Sequence, residues 1–243
     1  MVTVSVVGAT GYAGVELVRL LSSHPRVRIA QVTSESQSGQ PLNRSYPHLG
    51  PRGEAVLAST AEAAAGADVA FLALPHGVAM AVAPRLLAAG TRVIDLGADF
   101  RLRDPAAYRE WYGQEHAAPH LLAEAVYGLT EFRRAELAGA RLVANPGCYP
   151  TAALLAAVPA LKLGLARPQG IVVDAKSGVS GAGRSPSLKV HFGEVNENVR
   201  PYGLAGAHRH TPEIEQELSR AAGAEVVVSF SPHLVPMTRG ILS

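Results

Sequence analysis

The chain has 243 residues, of which 48% are hydrophobic and 17% charged, so it can bury a large core and is not intrinsically disordered. A formal net charge of +2 and scattered Lys and Arg residues argue against a nucleic-acid or anionic-membrane surface. Its single cysteine excludes an internal disulfide and a multi-thiolate metal site, and with no signal-peptide pattern or membrane-length apolar run the sequence predicts a cytosolic protein.

Strand-like and helical segments alternate through the first half of the chain. The apolar periodicity predicts strands over residues 2–7, 28–33, 68–74 and 92–96, and helices over residues 15–23, 61–65 and 78–89. Strands that alternate with helices form parallel sheets covered by helices. The first half is therefore expected to be a Rossmann-type, doubly wound α/β domain.

The character of the sequence changes after Asn145-Pro146-Gly147. The patterns beyond this point predict a helix over 151–163, a strand over 170–175, a Gly/Ser/Pro-rich stretch to residue 206, a helix over 212–222 and a strand over 225–231. We therefore expect a domain boundary near Cys148, with an α+β second domain over residues 148–243 following a first domain over residues 1–147.

Three glycines with the spacing G-x-x-G-x-x-G follow the first predicted strand. Glycines at a strand-to-helix junction permit a tight turn and let a pyrophosphate approach the amides of the helix start. They also occur in ordinary turns, but their place at the first junction of an α/β domain favours a bound dinucleotide. The expected cofactor contacts are Gly8, Thr10, Gly11, Tyr12, Ala13 and Gly14.

The end of the second predicted strand bears on the choice between NAD and NADP. Thr33-Ser34 stands where an NAD-preferring site usually presents an acidic side chain to the ribose 2′-hydroxyl. Hydroxyl groups suit a 2′-phosphate, so we expect NADP, with Ser34 as a contact. Glu35 weakens this inference, and a plain serine-rich loop is the alternative interpretation.

Cys148 lies between turn residues near the expected start of a helix, where the partial positive charge favours the thiolate. A lone cysteine is usually a small buried hydrophobe, but these neighbours favour a nucleophile. A thiol nucleophile needs a base, and His208 and His210, in a polar loop before a helix, are the best candidates among nine histidines. A surface position is the alternative for either histidine.

Six segments of the chain match the motifs of a known protein family. They are GATGYAG (8–14), ALPHG (73–77), DLGADFRL (95–102), NPGCYPT (145–151), DAKSGVSGAGR (174–184) and HRHTPEI (208–214). They occur in the family's order over essentially the whole chain, and NPGCYPT together with SGVSGAGR is highly specific. On these segments the chain resembles the N-acetyl-γ-glutamyl-phosphate reductases of arginine biosynthesis, which are related to aspartate-semialdehyde dehydrogenase.

The resemblance implies a reaction and a division of labour. Cys148 would attack the γ-acyl phosphate and expel phosphate, leaving a thioester that takes hydride from NADPH to give N-acetyl-glutamate 5-semialdehyde. His208 would be the acid/base catalyst. Residues 1–147 would bind NADP, and residues 148–243 would form the catalytic and dimerisation domain of a homodimer or homotetramer.

The resemblance also implies further contacts. Arg101 and His210 would hold the phosphate or carboxylate of the substrate, because guanidinium groups match oxyanions. Arg239 is a weaker substrate candidate, for which a solvated strand-end position is about equally expected. A turn near the nicotinamide and its phosphates would consist of Ser180, Gly181, Ala182 and Gly183.

Alternatives remain at this point. Another acyl-phosphate reductase of the same fold would act on aspartyl phosphate or on a carrier-bound aminoadipyl phosphate, and a non-catalytic NADP-binding redox sensor would use Cys148 to detect oxidant. No metal, nucleic acid or membrane is expected as a partner. Family members are longer, and the chain ends inside an apparent strand at residues 241–243, so we expect a longer version to be more stable and to bind NADP more tightly.

Overall fold

The computed structural model describes residues 1–63 and 66–243, which form two compact units, Met1–Asn145 and Pro146–Ser243. The elements of the first unit are, in chain order, β1 (Val2–Val7), α1 (Tyr12–Leu21), β2 (Val27–Thr33), β3 (Val69–Leu72), α2 (Ala79–Ala88), β4 (Arg92–Asp95), α3 (Pro105–Tyr112), β5 (Val126–Tyr127), α4 (Thr130–Gly139) and β6 (Leu142–Ala144), with 3-10 turns at Leu42–Arg44, Pro47–Gly53 and Pro119–Leu121.

In the described part of the first unit, six strands form one parallel sheet in the order β2-β1-β3-β4-β6-β5. Its central strands are apolar and buried, as the β-branched run Val6-Val7 in β1 illustrates, because a parallel sheet is covered on both faces. The predicted Rossmann-type fold is thereby confirmed. Since the strands are parallel, the loops that follow β1, β2, β3 and β4 all leave from the same edge of the sheet, where α/β proteins bind ligands.

Several element boundaries in the first unit differ from the predictions. Helix α1 begins at Tyr12 rather than at residue 15, because the extended backbone of Gly11 ends the glycine turn directly before it. Residues 61–63 of the helix predicted over 61–65 form only a turn, and residues 64 and 65 lie outside the described residues. Helices α3 and α4 were not predicted. The strands β5 and β6 were also not predicted, because two or three residues show no periodicity.

The second unit combines a mixed sheet with two long helices. Its elements are α5 (Cys148–Lys162), β7 (Ile171–Ser177), α6 (Phe192–Val195), β8 (Arg200–Pro201), α7 (Thr211–Ala222), β9 (Val228–Leu234) and β10 (Ile241–Leu242), with 3-10 turns at Val179–Ala182 and Leu188–Val190. The sheet order is β10-β7-β9-β8, with β7 and β9 parallel and both edge strands antiparallel. Helices α5 and α7 pack against each other. The α+β prediction for this part of the chain is confirmed.

Helix α5 begins three residues earlier than predicted, which makes Cys148 its first residue. Gly147 is extended, and its carbonyl accepts bonds from the Thr151 amide (2.9 Å) and hydroxyl (2.8 Å). Pro150 is tolerated in the first turn because its missing amide would have no helical partner there. The chain therefore places its only thiol at a helix N-terminus.

Strand β9 lies three residues later than the predicted strand over 225–231. Helix α7 ends at Ala222, and the next residue, Gly223, has a left-handed φ of 67°. The next amides bind side chains of α7: the Val226 amide donates to Ser219 Oγ (2.9 Å) and the Val228 amide to Glu215 Oε1 (3.0 Å). The first residues of the apolar run are thus used to connect helix and strand. Within the described ranges, no helix is long and apolar enough to cross a membrane.

Candidate active site

The three glycines of the turn after β1 differ in the space around them. A Cβ on Gly8 would lie 2.4 Å from the Ala73 carbonyl oxygen, and one on Gly14 would lie 2.2 Å from the Gly8 carbonyl oxygen. A Cβ on Gly11 would meet only the Gly8 oxygen, at 3.7 Å. Tyr12 and Ala13, which open α1, are exposed. The first turn of α1 is therefore accessible to an anionic ligand, and this fits a dinucleotide pyrophosphate.

A pair of hydroxyl groups joins this turn to the end of β2. Thr10 Oγ1 and Ser34 Oγ are 2.7 Å apart, and Tyr46 donates its hydroxyl to the Thr10 carbonyl (2.8 Å). Ser34 is buried. The Glu35 carboxylate instead accepts the amide of Thr60, a residue much further along the chain (3.1 Å). The hydroxyl pair fits the predicted preference for NADP, although the contact between Ser34 and a 2′-phosphate stays a prediction.

Arg101 is buried and holds backbone in place. Its Nε donates to the Asn145 carbonyl (2.8 Å), and its guanidinium also donates to the Leu96 carbonyl (2.9 Å). These bonds tie the segment after β6 to the segment after β4. The structure therefore gives Arg101 a supporting role, and the expected contact with a substrate oxyanion stays a prediction.

Asp95, at the end of β4, carries a fully buried carboxyl group. Its Oδ1 accepts the Gly97 amide (2.8 Å), while Oδ2 is buried without a hydrogen-bond partner. Burial, assisted by the negative charge of Asp99, raises the pKa of Asp95 to about 7 against the opposing effects of the Gly97 bond and the Arg101 charge. Asp95 therefore titrates near neutral pH.

Asp99 organises a buried network that sequence reasoning missed. Its carboxylate accepts the amides of Gly77 (2.7 Å) and Met80 (3.0 Å) and the hydroxyl of Tyr108 (2.9 Å). His116 Nε2 donates to the Asp99 carbonyl at 2.7 Å, since its Nδ1 accepts a backbone amide. Burial, with the charge of Asp99, raises the pKa of Tyr108 and keeps its hydroxyl a donor. The network fixes the loop between β3 and α2.

Cys148 is exposed, whereas its neighbours Gly147 and Tyr149 are buried. The thiol therefore sits at the open N-terminal end of a 15-residue helix. Backbone amides without helical partners give this end a partial positive charge, which stabilises a thiolate. The position supports the predicted role of nucleophile.

The His208 ring is enclosed by other rings. Its centroid lies 5.6 Å from Tyr149, 5.4 Å from Tyr202, 5.2 Å from Phe230 and 4.9 Å from His210, all in edge-to-face arrangements. The His210 amide donates to His208 Nδ1 (3.0 Å), so the proton of the neutral ring lies on Nε2. These contacts fix both the position and the tautomer of the ring.

The surroundings of His208 keep it neutral. Burial among these rings, together with the charges of His210 and Arg209, lowers the pKa of His208 to about 3, while Glu213 opposes the shift. At neutral pH the ring is therefore uncharged and can donate its Nε2 proton in a hydrogen bond.

Tyr149 connects the cysteine to the rings around His208. It directly follows Cys148, its ring contacts both His208 and His210, and its hydroxyl is 2.8 Å from that of Tyr202. Burial raises the pKa of Tyr202, and the charge of Cys148 raises it further while Tyr149 opposes the shift. Cys148 thus directly precedes a member of the ring cluster around His208, although Cys148 and His208 are 60 positions apart in sequence.

The other predicted contacts of the second unit form a separate group. Ser180, Gly181, Ala182 and Gly183 lie in an accessible turn after β7, where the Ser180 amide donates to the Thr238 carbonyl (3.0 Å). A Cβ on Gly178 would lie 2.8 Å from the Arg239 backbone. The structure therefore places Arg239 beside this turn. Cofactor and substrate contacts of both remain predictions.

Four residues around the thiol and the histidine were not predicted: Tyr149, Tyr202, Glu213 and Phe230. Tyr149 and Glu213 lie within the quoted motifs, which marks their segments but not the burial of these two side chains. Tyr202 and Phe230 are distant in sequence and come together only through the sheet, where Tyr202 donates its amide to the Pro232 carbonyl (3.1 Å). Among the described residues, no cluster of three or more metal-binding side chains occurs.

Comparison with known proteins places the chain in a family. Residues 3–140 match the semialdehyde dehydrogenase NAD-binding domain, and residues 148–243 match the semialdehyde dehydrogenase dimerisation domain. The N-acetyl-gamma-glutamyl-phosphate reductase of Symbiobacterium thermophilum is 60% identical over 243 residues, which cover 100% of this chain and 70% of that protein. The chain belongs to the N-acetyl-gamma-glutamyl-phosphate reductase family. The reductase of Halorhodospira halophila is 54% identical over 242 residues, 99% of this chain and 70% of that protein.

Solved structures of more distant proteins share the fold of this reductase family member. Aspartate semialdehyde dehydrogenase II from Vibrio cholerae has a TM-score of 0.68 at 17% identity, covering 98% of this chain and 72% of that one. The aspartate semialdehyde dehydrogenase with NADP from Candida albicans has a TM-score of 0.59 at 16% identity, covering 99% and 70%. At these identities the likeness concerns the fold, and family membership rests on the closer relatives.

Proposed function

We propose that Cys148 and His208 are the catalytic pair of an NADP-dependent N-acetyl-γ-glutamyl-phosphate reductase. The reaction is the NADPH-dependent reduction of N-acetyl-L-glutamyl 5-phosphate to N-acetyl-L-glutamate 5-semialdehyde and phosphate, in arginine biosynthesis. The observation that carries the assignment of roles is an exposed thiol at the start of α5, next to a tyrosine whose ring contacts a neutral histidine.

In the first step the Cys148 thiolate attacks the acyl carbon. A carbon–sulfur bond forms, and the carbon–oxygen bond to phosphate breaks with its electron pair leaving on the phosphate. The helix start stabilises the thiolate beforehand. The Nε2–H of His208 donates to the carbonyl oxygen while negative charge develops there, and a neutral imidazole can do this without changing its own charge.

In the second step the thioester on Cys148 becomes an aldehyde. Bound NADPH supplies the hydride. His208 again stabilises the oxygen of the tetrahedral carbon, and the carbon–sulfur bond then breaks with its electron pair returning to sulfur. The thiolate is restored at the end of the cycle, so Cys148 and His208 both finish in their starting states.

Residues 1–147 are proposed to bind NADP and residues 148–243 to carry catalysis and dimerisation. The open first turn of α1 supports a pyrophosphate site there, and the Thr10–Ser34 hydroxyl pair supports a 2′-phosphate nearby. The accessible turn of residues 180–183 is the proposed contact for the nicotinamide side of the cofactor. His210, next to His208, is the favoured partner for a substrate oxyanion, followed by Arg239 and Arg101.

The assembly and location are proposed on separate grounds. The match of residues 148–243 to a dimerisation domain supports an oligomer, for which we propose a homodimer or homotetramer. Exposed apolar side chains in the second unit, such as Val172 and Phe192, suit burial between subunits. A lone cysteine suits a reducing compartment, so we propose the cytoplasm.

The reverse reaction tests the function. Wild-type chain, N-acetyl-glutamate 5-semialdehyde, NADP⁺ and phosphate should generate NADPH, and Cys148→Ser should abolish it because a hydroxyl is not ionised at neutral pH. Ser187→Ala, at an exposed position outside the proposed contacts, is the control and should behave like wild type. Activity that survives the loss of the thiol would contradict the mechanism. Activity with aspartate semialdehyde alone would instead favour the alternative substrate.

A further inference from the structure

A buried carboxylate is hydrogen-bonded to the residue that precedes Cys148. Glu213, in the first turn of α7, is only 1% exposed, and its Oε1 accepts the Gly147 amide at 2.8 Å. Gly147 is the residue before Cys148 and caps α5. A buried charge is costly unless it is hydrogen-bonded and faces a compensating field. The amide and the positive N-terminal end of α5 provide both.

The backbone that carries Glu213 also carries His208. The Thr211 amide donates to the His208 carbonyl (2.8 Å), and the Ile214 amide donates to the His210 carbonyl (3.0 Å). The His210 amide in turn fixes His208 Nδ1. The histidine turn and the first turn of α7 therefore form one hydrogen-bonded piece of backbone, and the Glu213 side chain reaches from this piece to the residue that precedes the thiol.

We propose that Glu213 is a positioning residue that clamps the thiol-bearing start of α5 to the histidine-bearing start of α7 and fixes a negative charge beside both catalytic groups. The inference rests on the roles proposed above for Cys148 and His208. Glu213 acts through the Gly147 amide and through its field, because a side chain that is 1% exposed is closed to substrate.

The negative charge of Glu213 favours ionisation of His208 and disfavours ionisation of the Cys148 thiol. It raises the pKa of His208 against the stronger lowering effect of burial. It also opposes ionisation of the neighbouring thiol, because two negative charges repel each other. The other ionisable groups around the pair are Arg209 and His210 from the same loop and the hydroxyls of Tyr149 and Tyr202. Glu213 thus limits how strongly the helix start favours the thiolate.

Alkylation of the thiol provides a readout that needs no turnover. Cys148 is the only cysteine of the chain, so its reaction with iodoacetamide can be followed by intact mass across a range of pH. Glu213→Gln keeps the acceptor oxygen and removes the charge. Its alkylation profile should shift to lower pH by about one unit, because a like charge close to the thiol is lost.

Glu215→Gln is the matched control. Glu215 lies on the same helix and also accepts a backbone amide, that of Val228 at 3.0 Å, but its bond leads to β9 rather than to the thiol. Its alkylation profile should coincide with that of wild type. If the Glu213→Gln profile also coincides with those of wild type and Glu215→Gln, the proposed charge effect is overturned.

Kinetics test the clamp itself. Glu213→Ala leaves the Gly147 amide without this acceptor and should lower kcat by about a hundredfold with KM nearly unchanged, because small displacements of reacting groups cost this much. Glu213→Gln should recover most of kcat. Equal kcat values for Glu213→Ala and Glu215→Gln would overturn the clamp. If Glu213→Ala does not fold, the alkylation profile of Glu213→Gln decides, and an unshifted profile overturns the proposal.

The two proposals fail in distinguishable ways. A wild-type chain that is silent with N-acetyl-glutamate 5-semialdehyde, but whose alkylation profile shifts in Glu213→Gln, would refute the proposed function and retain the effect of Glu213 on the thiol. A chain that turns over this aldehyde while both Glu213 variants match Glu215→Gln would refute only the positioning role.

Discussion

The His208 ring shows how packing sets the chemistry of one residue. Three aromatic rings and a second histidine surround it, and one of its nitrogens accepts a backbone amide. An imidazolium there would lose solvation and would place a proton against the His210 amide. The neutral ring is therefore the stable form well below the pH at which an ordinary histidine, with a pKa of about 6.5, gains a proton.

This predicts that His208 does not titrate between pH 8 and 5. The C2 proton of its ring, assigned by comparison with His208→Gln, should keep a constant NMR chemical shift across this range, since the pKa is lowered to about 3. His24, an exposed histidine of the first unit, serves as the internal control. A titration of His208 with a midpoint near 6.5 would show that the ring is more open to water than the structure shows.

The same shift has a consequence for stability. Below about pH 6.5 the unfolded chain binds a proton at His208 that the folded chain does not bind, so the free energy of unfolding falls as the pH falls from about 6.5 towards 3. His208→Gln lacks this contribution. Its stability relative to wild type should therefore rise as the pH is lowered.

Asp95 predicts the opposite dependence. Its unfolded pKa is about 3.9, and its folded pKa is raised to about 7, so between these values the folded chain holds the extra proton. Stability is therefore lost as the pH rises through this range, by at most about 1.4 kcal/mol per pH unit. Asp95→Asn cannot titrate, so denaturant unfolding at pH 5 and 8 should show the variant gaining on wild type at the higher pH. A difference that is independent of pH would contradict the assignment.

At the scale of elements, the glycines between β1 and α1 meet two different requirements, one of packing and one of ligand access. Gly14 is required because a Cβ would overlap the Gly8 carbonyl, whereas Gly11 has ordinary space and an ordinary φ of −76°. The two glycines therefore look alike in the sequence but are constrained by different things. One is constrained by the strand–helix packing, and the other lies where a ligand is expected.

Two alanine substitutions test this distinction. Gly14→Ala should lower the melting temperature markedly, because the backbone has to shift. Gly11→Ala should leave the melting temperature unchanged and weaken NADP⁺ binding by roughly tenfold, because the added methyl group hinders the close approach of a pyrophosphate. Thermal unfolding and calorimetric titration measure both quantities. Unchanged NADP⁺ affinity in Gly11→Ala would argue against a pyrophosphate at this turn.

The elements also show which parts of the fold can be read from sequence. Strands such as β1, and helix α7, carry enough apolar periodicity to be predicted within a few residues. The two-residue strands β5, β8 and β10 carry none, because their pairing depends on neighbours elsewhere in the chain. The start of α5 was misplaced because prolines on both sides of Cys148-Tyr149 indicate a turn, although Pro150 is compatible with a first helical turn.

At the scale of the whole molecule, the motifs predicted the proposed catalytic residues better than the buried residues that hold them in position. Cys148 and His208 stand out by residue type and by their turn-rich surroundings. Glu213 does not, because a glutamate in the first turn of an amphipathic helix is usually solvated. Its burial follows from the packing of α5 against α7, which no local pattern encodes. The same holds for Asp99, whose carboxylate has partners in two separate segments.

The most direct test of the thioester route is a reaction without phosphate. Wild-type chain mixed with NADP⁺ and N-acetyl-glutamate 5-semialdehyde should release NADPH in a single burst of up to one equivalent per chain and then stop, because the acyl group stays on Cys148 until phosphate removes it. Added phosphate should restart turnover, and Cys148→Ser should show no burst. A burst of equal size in the serine variant, or turnover in wild type with no burst and no acyl group on the Cys148 peptide, would contradict the account.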